Sequence, residues 1–132
     1  MLQEFLQGGG LSLFTAALDE RIKAVYDQGY FGSYRTTFGT RANHCLCNNI
    51  SGILNIADLN DIAGLIAPRN LLIVNGGKDH FFSSDAKKEF GKLKKIYAIC
   101  NSEKNVDFKE PQGIGHEFST NIEIAFFNNV FK

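Results

Sequence analysis

LLIVNGGKDHFF, Leu71 to Phe82, decides the fold when it is read with GIGHEF at Gly113 to Phe118. Leu71 to Asn75 is a short continuous apolar or β-capable run that stops at Gly76 and Gly77, the pattern of a buried strand ending in a turn. Asp79 follows just past that end, where an open parallel sheet carries its chemistry. The second stretch repeats the arrangement. Val106 to Lys109 is a short strand, a glycine-containing turn follows, and His116 emerges from it. A carboxylate and an imidazole in these places suit an acid that orients and charges a base.

Working outward, Ser83-Ser84-Asp85 supplies an N-cap, and Ala86, Phe90, Leu93, Tyr97 and Cys100 recur at steps of 4, 3, 4 and 3. That spacing is an amphipathic helix with Cys100 on its apolar face. Its lysines, Lys87, Lys88, Lys92, Lys94 and Lys95, read as a solvated face. Upstream, Asp58-Leu59-Asn60-Asp61 caps a short helix, Ile62 to Ile66, that Pro68 closes, and Arg69 leads into the central strand.

Leu11, Leu13, Phe14, Ala16, Ala17 and Leu18 form a helical run apolar on nearly all sides, hence buried. Ile22 to Tyr26 reads as a strand. Gly29 to Asn55 lacks sustained periodicity apart from a helical turn or two around Thr40 to Asn48, so it reads as a long excursion at the sheet's edge. The last helix spans Thr120 to Phe131 and buries Ile122, Phe126 and Val130. The order is α-β-(loop, α)-β-α-β-α, an α/β fold with three parallel strands and helices on both faces.

Composition agrees with one globular domain over residues 1–132: hydrophobic residues are 44% of the chain, so disorder is a poor reading. Lys plus Arg and Asp plus Glu are 14 each, which leaves no net field to attract nucleic acid or an anionic membrane. The three cysteines, Cys45, Cys47 and Cys100, are no disulfide framework, and free thiols in a reducing compartment account for them. Without an apolar run of membrane-spanning length or a signal sequence after Met1, the chain as it stands is expected to be cytoplasmic.

Several side chains invite other readings. His44, Cys45 and Cys47 carry zinc-type donors, but Cys-x-Cys is not the usual knuckle spacing and no metal or other cofactor is expected. His80 reads as a turn residue facing solvent. Gly76-Gly77-Lys78 is not a phosphate loop, because the G-x-x-x-x-G-K-[ST] pattern is absent.

AALDERIKAVYDQGY (Ala16 to Tyr30), ADLNDIAGLIAPRNLLIVNGGKD (Ala57 to Asp79) and GIGHEF together resemble the C-terminal half of an α/β-hydrolase, over about Gly8 to Phe131. The branch they resemble contains dienelactone-hydrolase-like proteins and acetyl xylan esterases. The resemblance implies a carboxylic ester hydrolase with Asp79 as acid and His116 as base. Its substrates would be small-molecule or carbohydrate esters. It also implies a serine in a G-x-S-x-G elbow just before the helix that leads into ALDERI.

Matching Gly8-Gly9 to the glycines after the nucleophile places Leu6 where that serine belongs and Glu4 where the first glycine belongs. The resemblance thus implies a C-terminal piece of a longer hydrolase, with residues 1–7 an altered or non-homologous start, or else a pseudoenzyme. In either case the chain is expected to be inactive or nearly so. Ser12, in Gly10-Leu11-Ser12-Leu13-Phe14, is a substitute nucleophile only if the elbow is unusual, since Phe14 replaces the closing glycine. The rival reading is a noncatalytic interaction protein whose exposed sheet edge binds a second copy or a complementing N-terminal chain.

Overall fold

The computed structural model describes residues 2–5, 7–40, 49–79 and 83–132. Asn70–Val74 forms a strand buried on both faces, which explains why Leu71 to Val74 shows no alternation. This strand, β3, lies in a four-stranded parallel sheet with β1 (Leu2–Phe5), β2 (Ala24–Gln28) and β4 (Val106–Lys109), ordered β1-β2-β3-β4. The sequence reading gave three strands. The fourth, β1, is defined by its register on β2, Leu2 opposite Val25 through Phe5 opposite Gln28. Four residues with Gln3 and Glu4 in the middle carry no pattern of their own.

The helices are α1 (Gln7–Leu18), α2 (Tyr34–Thr40), α3 (Leu59–Gly64), α4 (Ser83–Ile99) and α5 (Thr120–Val130). Leu13 and Ala16 of α1, Leu59 and Ala63 of α3, and Leu93 and Tyr97 of α4 pack with Val25, Leu71, Ile73 and Val106 on one face. Phe127 of α5 covers Ala24, Tyr26, Leu72 and Val74 on the other. Each fully buried aliphatic side chain contributes roughly 1.5–3 kcal/mol.

Several boundaries differ from the sequence reading. Helix α1 starts at Gln7, so Gly8, Gly9 and Gly10 are helical. A Cβ on Gly9 would lie 2.5 Å from Asp27 Oδ1, and one on Gly10 would lie 2.7 Å from Tyr30 Cζ. The glycines therefore let the helix sit directly on β2 and the turn after it. Leu11 and Leu18 are 66% and 84% exposed, so α1 is not buried all round; only one side meets the sheet. Strand β2 begins and ends two residues later than expected, and α3 spans Leu59–Gly64 instead of Ile62 to Ile66. Cys100 lies beyond α4 and is exposed. Among the apolar residues of α5 it is Phe127 that is buried, with Ile122, Phe126 and Val130 partly so, and Glu123 is buried beside them in the same helix.

The excursion after β2 is tied back by Asp58. Its carboxylate accepts from Leu59 N (2.8 Å), Tyr34 N (2.7 Å) and Ser33 Oγ (2.7 Å), while Asp61 accepts from Asp58 N (2.9 Å). One side chain thus caps α3 and the start of α2. Burial opposes its ionisation, but hydrogen bonds from Ser33, Leu59, Tyr34 and Arg35 outweigh that and hold the carboxyl below its ordinary value. The expected turns from Arg41 to Asn48 lie outside the described residues. Among the described residues no helix is long and apolar enough to cross a membrane.

Candidate active site

Strand β3 runs out at Val74, and its turn is stitched to the segment after β4 by backbone hydrogen bonds. Asn75 N donates to Lys109 O (3.0 Å), Gly77 N to Pro111 O (3.0 Å) and Lys78 N to Ile114 O (2.9 Å). Asp79 N closes the turn on Gly76 O at 2.9 Å. Gly76 permits this approach, since a Cβ there would meet the carbonyl oxygens of Gly115 and Ile114. Backbone atoms cannot swing aside as a side-chain end can. Gly76→Ala is therefore expected to part the two segments and cost roughly 1–3 kcal/mol. Urea unfolding checks the cost, and loss of the hydrogen-bonded His116 ring proton by NMR checks the separation. An unchanged ring proton would contradict it.

Gly113, at φ 85°, turns the chain after β4 in a left-handed conformation. His116 follows, and its Nδ1 lies 2.7 Å from Asp79 Oδ2. Asp79 is 1% exposed and the imidazole 23% exposed at the side chain, so the carboxylate is sealed and the ring reaches the surface. An ionised carboxylate can only accept; opposite one, Nδ1 is the donor and Nε2 the nitrogen left to take a proton. The sequence-predicted acid and base are thus brought together, each beyond a neighbouring parallel strand. Chemically, such a pair can take a proton from an attacking hydroxyl and return it to a leaving group.

The remaining candidates are placed differently. Strand β1 ends at Phe5 and α1 begins at Gln7, leaving Leu6, itself outside the described residues, between them. A strand leading at once into a helix is the setting of a nucleophile elbow. Ser12 sits inside α1, 1% exposed, and its hydroxyl has no hydrogen-bond partner among the described residues. It is not joined to His116. His44, Cys45, Cys47 and His80 lie outside the described residues.

No protein-family model matches the sequence, and no curated protein matches it. Solved structures do. A methylesterase superimposes with a TM-score of 0.75 at 24% identity, over 96% of this chain and 28% of its own. The glucuronoyl esterase of Sporotrichum thermophile gives 0.77 at 18% identity, over 97% of this chain and 41% of its own. That of Caldicellulosiruptor kristjansonii gives 0.73 at 16%, over 94% and 40%. The chain therefore spans less than half the length of each of these three proteins.

The chain has the fold of the C-terminal half of an α/β-hydrolase.

In this half-fold the sequence reading missed the groups that hold the site. Gln28 and Asp27 end β2, and both are buried. Asp27 Oδ2 accepts from Phe31 N (3.1 Å), and Asn75 Nδ2 donates to Phe31 O (3.0 Å), so the turn after β2 is gripped by both of its backbone groups. Burial pushes the Asp27 carboxyl up to about 7, against the opposing hydrogen bond from Phe31. The available signal was position: polar residues closing a parallel strand before a glycine lie where such sheets carry their chemistry.

Proposed function

We propose that this chain is the acid- and base-bearing half of a carboxylic ester hydrolase of the dienelactone-hydrolase-like and acetyl xylan esterase branch, with Leu6 at the nucleophile's position. The observation that carries the reading is the Asp79–His116 hydrogen bond, formed beyond successive parallel strands. The names of the similar structures, a methylesterase and glucuronoyl esterases, support carboxylic esters of carbohydrates as the substrate class.

In such a hydrolase a serine hydroxyl gives its proton to the imidazole Nε2 as its oxygen bonds to the ester carbonyl carbon. The alcohol then leaves with that proton, and water repeats the sequence on the acyl-enzyme. Leucine has no atom that can begin it. The chain is accordingly a truncated or pseudoenzyme form that turns over no ester by itself.

The test restores the missing atom. The chain is expected to hydrolyse a small activated acetate ester no faster than its His116→Ala variant. The Glu4→Gly/Leu6→Ser double variant is expected to become covalently labelled by a fluorophosphonate probe. Adding His116→Ala should slow that labelling by roughly 10²-fold or more. Labelling indifferent to His116 would overturn the reading.

A second reading rests on sheet order: β1 is an edge among the described strands, and an unpaired parallel edge invites a further strand. Self-association by sedimentation that persists in Asp79→Ala and His116→Ala, with no labelling of the double variant, would favour that noncatalytic role.

A further inference from the structure

The segment that carries His116 has little packing to fix it. Between Glu110 and Ser119 no residue is fully buried, and none belongs to a helix or strand. Hydrogen bonds among the described residues therefore help to set its shape. On the side preceding His116 these are the contacts of Gly77 N and Lys78 N with Pro111 O and Ile114 O. On the side following His116 the described ones come from two side chains of β2, Gln28 and Tyr26.

Gln28, the last residue of β2, is 1% exposed. Its Nε2 donates to Glu117 O at 2.6 Å, and its Oε1 accepts from Ser119 N at 2.8 Å. Oε1 also accepts from Tyr26 Oη at 2.6 Å, and the same hydroxyl lies 3.2 Å from Ser119 O. The ring of Tyr26 meets that of Phe118 edge to face with centroids 5.8 Å apart. A buried carboxamide is costly unless its atoms are paired, and here both the oxygen and the nitrogen are. Burial raises the Tyr26 phenol's pKa, so its hydroxyl stays a donor.

We propose that Gln28 is a positioning residue for His116. Its carboxamide holds the backbone immediately following the imidazole, as the Gly76-Gly77 turn holds the backbone preceding it. The proposal rests on the reading of His116 as the base. It assigns the two anchors to two strands: β3 supplies the carboxylate and the leading anchor, and β2 supplies the trailing anchor. An amide is required, because one end must donate to a carbonyl while the other accepts from an N–H. A carboxylate in its place would confront Glu117 O with a second acceptor. The imidazole would then be free to turn away from Asp79 without the sheet being disturbed.

The experiment follows the His116 ring by proton and nitrogen NMR, reading the tautomer and the exchange of Nδ1–H with water. The wild-type chain is compared with Gln28→Glu, Gln28→Met and Asp79→Asn. A destabilised control, Leu93→Ala, sits in the core on the opposite side of the sheet from α5. The wild type is expected to show one tautomer with a slowly exchanging Nδ1–H.

Both Gln28 variants should speed that exchange by roughly tenfold or more and mix the tautomers, while the strand amides stay dispersed. Leu93→Ala should lower stability without changing the ring. Gln28 variants indistinguishable from wild type, beside an Asp79→Asn variant that has changed, would overturn the proposal and leave the acid–base pair standing. An unchanged ring in Asp79→Asn would instead overturn the pair and the proposal with it. If Gln28→Met fails to fold, Gln28→Glu and Tyr26→Phe carry the same comparison.

Discussion

Replacing Arg69 by alanine is expected to lower the unfolding free energy by roughly 3–4 kcal/mol. Its guanidinium donates to five backbone carbonyls: Nε to Ile66 O (3.0 Å), Nη1 to Asp19 O (3.0 Å) and Ile22 O (2.9 Å), and Nη2 to Ala16 O (2.8 Å) and Leu65 O (3.3 Å). These oxygens belong to the last turns and exits of α1 and α3, where carbonyls have no partner within the helix. One cation thus closes two helices at the end where their dipoles favour positive charge.

Removing it takes a donor from all five acceptors, although Asp19 O and Ile66 O keep the backbone N–H groups of Ile22 and Arg69. Their separate costs do not add in full, because the surface-facing ones regain water. Lysine should recover only a minor part, since an ammonium cannot spread donors over five carbonyls as a planar fork does. Urea unfolding of the wild type, Arg69→Ala and Arg69→Lys measures this. A loss below about 1 kcal/mol for alanine would show the contacts to be mostly solvent-replaceable.

Arg69 also marks how far the sequence could be read. It was visible as the residue leading into the central strand, and nothing in its neighbours announces two helix ends distant in the chain. The central strand itself was legible because Leu71 to Val74 are apolar on both faces and stop at Gly76-Gly77, a run too short for a buried helix and fit for a doubly covered strand. Helix α4 was legible through its apolar steps, apart from Cys100, which the helix ends too soon to bury. Strand β1 was not legible. Its identity lies in pairing with β2, a tertiary relation that four residues cannot encode.

The candidate site divides in the same way. Asp79 and His116 stood out because titratable residues follow glycine turns after strands, and the structure joins them. Gln28, Asp27 and Asn75 did not. A side chain that serves another segment's backbone leaves no periodic trace, and its partners, Glu117, Ser119 and Phe31, are defined only once the strands are side by side. The groups that do chemistry can thus be found from local punctuation, while those that hold them in place need the topology.

Asp27 gives the second large expectation, a stability that declines as pH rises through the mildly acid range. The carboxyl is fully buried, and desolvation lifts it from an ordinary 3.8 to about 7, only partly offset by the Phe31 N–H. Its second oxygen, Oδ1, has no hydrogen-bond partner among the described residues and lies where a Cβ on Gly9 would intrude. The fold therefore holds a proton that the unfolded chain has already lost between about pH 4 and 7.

With more protons bound in the folded state, stability must fall with rising pH across that window. The slope is about 1.4 kcal/mol per unit, or about 4 kcal/mol in all, and levels off above about 7. Asp58 acts in the opposite sense at lower pH, because its depressed carboxyl withdraws stability as pH falls through and below its ordinary range. Together the two place the optimum in the acid range above Asp58's titration. Asp27→Asn keeps an acceptor for Phe31 N and cannot ionise, so its stability should lack the decline and exceed the wild type's at pH 8. Denaturant unfolding of both chains at half-unit steps from pH 4 to 8 decides the matter: parallel curves would mean that water reaches Asp27 and hydrates its charge beneath the start of α1.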